Sequence, residues 1–351
     1  MKKIRVAFIG VGNCTSAIVQ GFSYYNTDKE LDGLMHQEIG GYRIKDMEPV
    51  VAFDVDERKV GKDLSEAIFA DPNVALKFAK VPKCKVEVKM GPVMDGVTAH
   101  SAKMVKVSKQ KAEDVKKILM ATKPDVILNN LPTGAIEASK FYAMAAIEAG
   151  VAVVNGMPAL IANDENMVKL AIKNNVPLIG DDVKSQVGGT AFHRALLKLF
   201  INRGVKISNT YQLNIGGNTD FFNQVERRET KIFTKMSSYK SLIPYDVPIW
   251  GGSVGYIDFL NDTKDAWTFM EGENFGGNPV NIVAWLRVSD SPNYAGVMVE
   301  AIRLCKLALD RKVSGVLTSG SAYLMKCPPE KMDDEEARRR MEEFIQGKRE
   351  R

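Results

Sequence analysis

The chain is poor in the side chains that build metal centres and disulfide frameworks. It has four cysteines in 351 residues, Cys14, Cys84, Cys305 and Cys327, and no Cys-x-x-Cys pair. Scattered thiols fit a reducing cytosol better than a stapled secreted fold. The three histidines, His36, His100 and His193, stand far apart. That argues against a His-ligated metal cluster or a Ser-His-Asp triad. No run of about 18 uncharged apolar residues occurs, so no membrane span is expected. Met1-Lys2-Lys3 leads into an apolar run as a signal peptide would, but Arg5 and Asn13 interrupt it and Gly10 and Gly12 suit a nucleotide turn better. A dominant charge is missing too: 48 Lys and Arg against 43 Asp and Glu leave +5. That excess can attract a phosphate ester, but the chain has no nucleic-acid-binding signature.

What is present is an ordinary globular balance, 45% hydrophobic and 26% charged, in a chain long enough for two domains. Apolar, β-branched runs at 4–9, 50–53, 126–128, 151–154 and 176–179 read as buried strands. Helical patterns at 15–24, 112–121, 135–149 and 163–174 lie between them. This alternation predicts an α/β fold, a Rossmann-type doubly wound parallel sheet over residues 1–185. Insertions at about 28–48 and 80–107 interrupt it. After residue 185 a helix (190–202) is followed by strands at 206–213, 266–270 and 280–288 and a long helix at 293–310. Strands uninterrupted by helices predict a second, α+β domain over 186–300 with a mixed or antiparallel sheet, and a segment from about 300 to 351 that packs back onto the first. The tail reads as a solvated charged helix, with a capping box at Asp333 and Glu336 and i,i+4 pairs Glu335–Arg339 and Glu336–Arg340.

Gly10-Val11-Gly12 follows a strand and precedes a helix, the context in which glycines let a backbone approach a pyrophosphate. The third glycine of that fingerprint is absent, with Thr15 and Ser16 near its place. Asp54 ends the second strand, where a carboxylate can bind both ribose hydroxyls and repel a 2′-phosphate, favouring NAD over NADP. The alternative is that Asp54 or Asp56 caps the next helix. Asp182, Ser185, Asn214, Asn218 and Asp220 fall at strand ends or in the turns after them, where ligands sit in open α/β sheets. Asp and Asn are also common turn formers. Lys231 and Lys235 are four apart and would share a helix face, either around an anion or as a solvated basic face.

These motifs together resemble the myo-inositol-1-phosphate synthase family, in its shorter, archaeal-type branch. The resemblance runs through nearly the whole chain. It rests on Gly10 to Asn13, Gly91 to Gly96, Asn129-Asn130-Leu131-Pro132, Asp181 to Ser185, Asn214 to Phe221, Phe259 to Lys264 and Tyr323 to Lys326. It implies conversion of glucose 6-phosphate to inositol 1-phosphate with NAD used but not consumed: oxidation at C5, enolisation at C6, attack on the C1 aldehyde, and return of the hydride. The resemblance casts Lys231, Lys235, Lys264 and Lys326 as the ammonium groups for phosphate and developing oxyanions. Lys326 would handle the C5 oxygen proton and Lys231 the oxyanion of ring closure. Asp182, Asp220 and Asp290 would orient them, while Ser185, Asn214 and Asn218 would hold substrate. Gly10, Gly12, Asn13, Cys14, Asp54, Asn130 and Pro132, with Asp182 and Ser185, would line the cofactor. The acids could also suit a divalent metal or a monovalent cation, with no ligands named. The resemblance further implies a cytoplasmic homotetramer joined mainly through the second-domain sheet. An inositol phospholipid or a soluble inositol solute are both compatible end uses. The competing reading is an NAD-dependent sugar-phosphate dehydrogenase with net redox.

Overall fold

Strand β1 (Ile4–Ile9) is buried along nearly its whole length, as a parallel strand covered on both faces must be. The computed structural model describes residues 3–351; Met1 and Lys2, at the head of the leader-like stretch, lie outside the described residues. From β1 the chain runs through α1 (Asn13–Tyr24), β2 (Met47–Asp54), α2 (Leu64–Ala67), β3 (Val88–Met90), α3 (Val115–Thr122), β4 (Val126–Asn129) and α4 (Ile136–Glu148). It continues through β5 (Ala152–Asn155), α5 (Glu165–Lys173), β6 (Pro177–Ile179) and α6 (Gly189–Asn202). Then come β7 (Lys206–Gly216), α7 (Thr219–Gln224), α8 (Glu229–Lys240), β8 (Ile249–Tyr256), β9 (Thr263–Glu273) and β10 (Pro279–Ser289). The chain closes with α9 (Asp290–Asp310), β11 (Gly315–Val316), α10 (Thr318–Leu324) and α11 (Asp334–Ile345).

The first sheet has seven parallel strands in the order β11-β6-β5-β4-β1-β2-β3. This is the doubly wound architecture the alternation predicts. Its strand order reverses between β1 and β4, the switch point at which such sheets bind ligands. Strand β3 lies inside the stretch read as an insertion; three residues are too few to show a pattern. The C-terminal segment returns to this sheet: β11 adds its outer strand, and α9 packs on α1 and on β4, β5 and β6. Met298, Ile302 and Leu304 of α9 are fully buried. Truncating one such side chain to alanine costs about 2–5 kcal/mol.

The second sheet, ordered β10-β9-β7-β8, is mixed. β7, β9 and β10 pair antiparallel, but β8 runs parallel to β7 because α7 and α8 form the crossover between them. Glycines hide β8 from a pattern search and also position α8. A Cβ at Gly251 would lie 2.8 Å from the Tyr239 ring, and one at Gly252 2.8 Å from Ile232. Their absence lets α8 settle onto the strand. In the tail, α11 is capped by Asp333, whose side chain accepts from Glu335 N. Arg340 pairs with Glu336 as expected, but Arg339 pairs with Glu336 and Glu343, not Glu335.

Candidate functional site

The turn after β1 requires glycine. Gly10 has φ +88°, and a Cβ there would stand 2.7 Å from the carbonyl oxygen of Asn130, which follows β4. Gly12 faces open space, with nothing within 4 Å of a Cβ placed on it. Asp54 ends β2 and braces this turn: Oδ2 accepts from Val11 N (2.7 Å), and Oδ1 from Val55 N (2.7 Å) and Asp56 N (2.9 Å). It does not cap the next helix, a task done by Asp63. Gly10, Gly12, Asp54 and Tyr142, with Pro92 and Val93, line a cavity of about 800 Å³.

A second cavity of about 1010 Å³, partly open to solvent, shares Gly12, Asn130, Leu131, Pro132 and Thr219 with the first. It lies between the switch point and the second sheet. Four lysines reach it from three directions: Lys231 and Lys235 from α8, Lys264 from the start of β9, and Lys326 from just beyond α10. Asp182, in the turn after β6 and fully buried, sits behind them. Its Oδ1 accepts from Lys326 Nζ at 2.9 Å and faces Lys231 Nζ at 3.5 Å, while Thr234 donates its hydroxyl to Oδ2. Asp220 lies 3.7 Å from Lys231 and accepts from Thr133 (2.6 Å) and Gln224 (2.7 Å). Asp290, at the first turn of α9, accepts from Lys264 Nζ at 3.0 Å.

The environments separate the lysines. Burial pushes the Lys326 ammonium down, Asp182 opposes it, and Lys231 and Lys264 reinforce it, leaving a pKa of about 8. Burial also depresses Lys235, with Lys264, Lys326 and Lys231 adding to the effect, so it lies well below the ordinary lysine range. Burial acts on Lys231 too, but Asp182, Asp220 and Asp290 outweigh it and hold that group charged, above its usual value. For Asp182, burial is outweighed by Lys231 and Lys326, and its carboxyl falls below the normal range. The cluster thus holds one firmly cationic lysine beside two whose ammonium forms are disfavoured.

The other residues singled out from sequence fall around this space. Asn13, Cys14, Asn130, Pro132 and Ser185 line it beside Gly12. Asn13 also ties the turn to the next segment, accepting from Val74 N (2.6 Å) and Ala75 N (2.9 Å). Asn218 caps α7 and donates to Asp262 and Asp290 at 3.1 and 3.2 Å. Asn214 lines the cavity and donates to Gly252 O at 2.9 Å, while its buried Oδ1 has no protein partner. Gly10 and Asp54 stand apart, in the first cavity.

Sequence reasoning missed several polar groups. Gln212 on β7 accepts from Lys235 Nζ at 3.0 Å. Tyr294 donates to Asn130 Oδ1 at 2.5 Å; its four-residue spacing from Asp290 on α9 was a usable signal. Asp262 accepts from Ser291 Oγ (2.7 Å), and burial, then Asp290, raises its carboxyl to about 7. Among the described residues, no group of three or more His, Cys, Asp and Glu is arranged to hold a metal ion.

A family model described as myo-inositol-1-phosphate synthase matches residues 188–291, which include α7, α8 and the second sheet. The inositol-3-phosphate synthase of Mycolicibacterium smegmatis is 45% identical, over 98% of this chain and 98% of the relative. That of Corynebacterium glutamicum is 44% identical over 97% and 98%. A solved structure of a myo-inositol-1-phosphate synthase-related protein from Thermotoga maritima is 28% identical, with a TM-score of 0.80 over 98% of both chains. Sequence identity at this level over essentially the full length establishes that the chain belongs to the inositol-3-phosphate synthase family.

Proposed function

We propose that this protein is an NAD-dependent cyclase that converts glucose 6-phosphate to inositol 1-phosphate (1D-myo-inositol 3-phosphate), using its cofactor without consuming it. The observation that carries this reading is the convergence of four buried or largely buried lysines on one cavity, contiguous with a glycine-turn cavity at the switch point. The chain's end-to-end match with bacterial relatives of similar length supports this reading.

The residues present fit NAD. Gly12 leaves open a cradle that a larger side chain would enter, and the Asp54 carboxylate stands where it disfavours a 2′-phosphate. Gly10, Gly12, Asp54, Asn130 and Pro132 would hold the dinucleotide, with Asn13, Cys14, Asp182 and Ser185 toward its reactive end. Bound NAD supplies a reversible hydride acceptor.

The side chains divide the remaining chemistry. Lys326, poised at about 8, takes the proton from the C5 hydroxyl and returns it at the end. Lys231, held charged by its carboxylates, stabilises the oxyanion that forms when C6 attacks the C1 carbonyl. Lys235 and Lys264 hold phosphate and neighbouring oxygens, with Asn214, Asn218 and Ser185 on substrate hydroxyls or phosphate. Asp182 and Asp290 aim the lysines they touch. Residues 1–185, with the returning segment from about 300, form the cofactor half, and 186–300 the catalytic half. Association into a tetramer through the second sheet is supported by its outer strand, where Val283 and Trp285 are 71% and 57% exposed. Phosphorus and carbon NMR with glucose 6-phosphate and catalytic NAD tests the activity. An inositol phosphate without net NADH upholds it. Stoichiometric NADH with an oxidised open-chain or acid product overturns it in favour of a dehydrogenase.

A further inference from the structure

Of the four cavity lysines, three have a carboxylate in ion-pair range. Lys231 faces Asp182 and Asp220, Lys264 touches Asp290, and Lys326 touches Asp182. Among the described residues, Lys235 has none. Its ammonium, 5% exposed at the residue level, donates instead to the amide oxygen of Gln212 at 3.0 Å.

Gln212 is fully buried in β7, and its amide orientation is dictated by its neighbours. Nε2 donates to Gly189 O (2.7 Å) and Thr268 Oγ1 (3.0 Å), and Oε1 accepts from Lys235 Nζ and from Tyr239 OH (3.2 Å). A carbonyl cannot donate, so the NH₂ must face Gly189 and the oxygen must face the lysine. Every hydrogen-bonding site of the amide is used, which locks it in place. Lys235 is thereby given a neutral acceptor where a glutamate of the same length would fit.

We propose that Gln212 is a positioning residue that holds Lys235 without a resident counter-charge, so that an incoming dianionic group, the substrate phosphate, supplies it. The inference rests on the function proposed above. The charged and titratable groups around Lys235 are Lys231 on α8, Lys264 on β9, Lys326 beyond α10 and the more distant Asp182 after β6, with Tyr239 on α8 and His193 on α6. Burial, then Lys235 itself, holds His193 at about 3, so it stays neutral. Burial and the three neighbouring cations disfavour the ammonium form of Lys235, with only the more distant Asp182 opposing them. An anion docking there favours that form, so its binding is expected to draw protons from solvent to the amine nitrogen.

The test is calorimetric titration of sulfate, a dianion that does not titrate near neutrality, into NAD-loaded enzyme. Measurements at pH 7 in buffers of different ionisation enthalpy give the proton count. At this pH Lys326, at about 8, is mostly charged already. Wild type is expected to take up protons as sulfate binds. Gln212→Glu, which gives Lys235 a permanent partner, should take up almost none and bind sulfate roughly tenfold more weakly. Lys235→Met should also lose the uptake, and it keeps the test decisive should the glutamate variant not fold. No uptake by wild type, or uptake persisting in Lys235→Met, overturns the inference. So does wild-type uptake in a folded Gln212→Glu protein. Turnover of glucose 6-phosphate without linked uptake overturns this inference alone, whereas uptake without turnover overturns the proposed function and leaves the anion-gated lysine standing.

Discussion

Lys326 and Lys231 meet at one atom: Oδ1 of Asp182 lies 2.9 Å from the first ammonium and 3.5 Å from the second. Asp182 and Lys326 are 144 residues apart, and their backbones also join, Lys326 N donating to Asp182 O at 2.6 Å. The shared carboxylate gives the two lysines different characters. Lys231 gains further support from Asp220, while Lys326 is left near its titration point.

Removing either lysine should abolish turnover without unfolding the protein. For Lys326→Ala and Lys231→Ala we expect a loss in kcat of roughly 10²–10⁴-fold. NAD affinity, followed by fluorescence titration, should stay close to wild type. Full activity in both variants would refute their assignment.

The pH profile should carry the signature of Lys326. Its folded pKa of about 8 lies below the ordinary 10.5, and the base must be neutral to accept a proton. The rate should therefore rise with pH through about 8 and level off above it. A kcat profile flat from pH 6 to 9 would contradict this; the range is set as roughly one to two units around the expected midpoint.

Asp54→Ala should weaken NAD binding and also loosen the glycine turn. It removes the acceptor for Val11 N, for an expected stability loss of about 1–2 kcal/mol. Calorimetric NAD affinity and the denaturation midpoint check the two effects separately. An unchanged affinity would place the ribose contact elsewhere.

Asp262 should leave a mark on stability. Its carboxyl stands at about 7 in the fold, against an ordinary value of 3.8. Between these values the folded chain keeps a proton that the unfolded chain has lost. This contribution is fully present below about 4 and is lost as pH rises through about 7. The Tm of wild type should accordingly fall relative to that of Asp262→Asn as pH is raised across this window. Parallel Tm curves would contradict the assignment.

Much of this was legible before the structure because the signals were local. The strand ending in Gly10, the strand ending in Asp54 and the apolar run into Asn129 each announced themselves, and together they located the switch point. Lys231 and Lys235 showed in their four-residue spacing, but Lys264 and Lys326 were legible only through the motif resemblance, since no local pattern brings Lys264 beside Asp290 or Lys326 beside Asp182. Strand β8 stayed hidden because Gly251, Gly252 and Gly255 dilute its alternation. Gly251 and Gly252 make room for α8 rather than favour a strand, and a Cβ at Gly255 would meet nothing within 4 Å. Gln212 was invisible for a related reason. A lone glutamine in an alternating strand reads as an outward polar residue, and its full burial depends on Gly189, Thr268, Lys235 and Tyr239 arriving from elsewhere in the chain.

The most direct test of the central claim is to follow deuterium placed at C5 of glucose 6-phosphate. If the cavity oxidises C5, closes the ring and restores the same carbon, the label should be recovered in the inositol phosphate, with none in released NADH. Deuterium accumulating in free NADH, with no cyclic product, would show that the lysine cluster serves a net oxidation and would contradict the account.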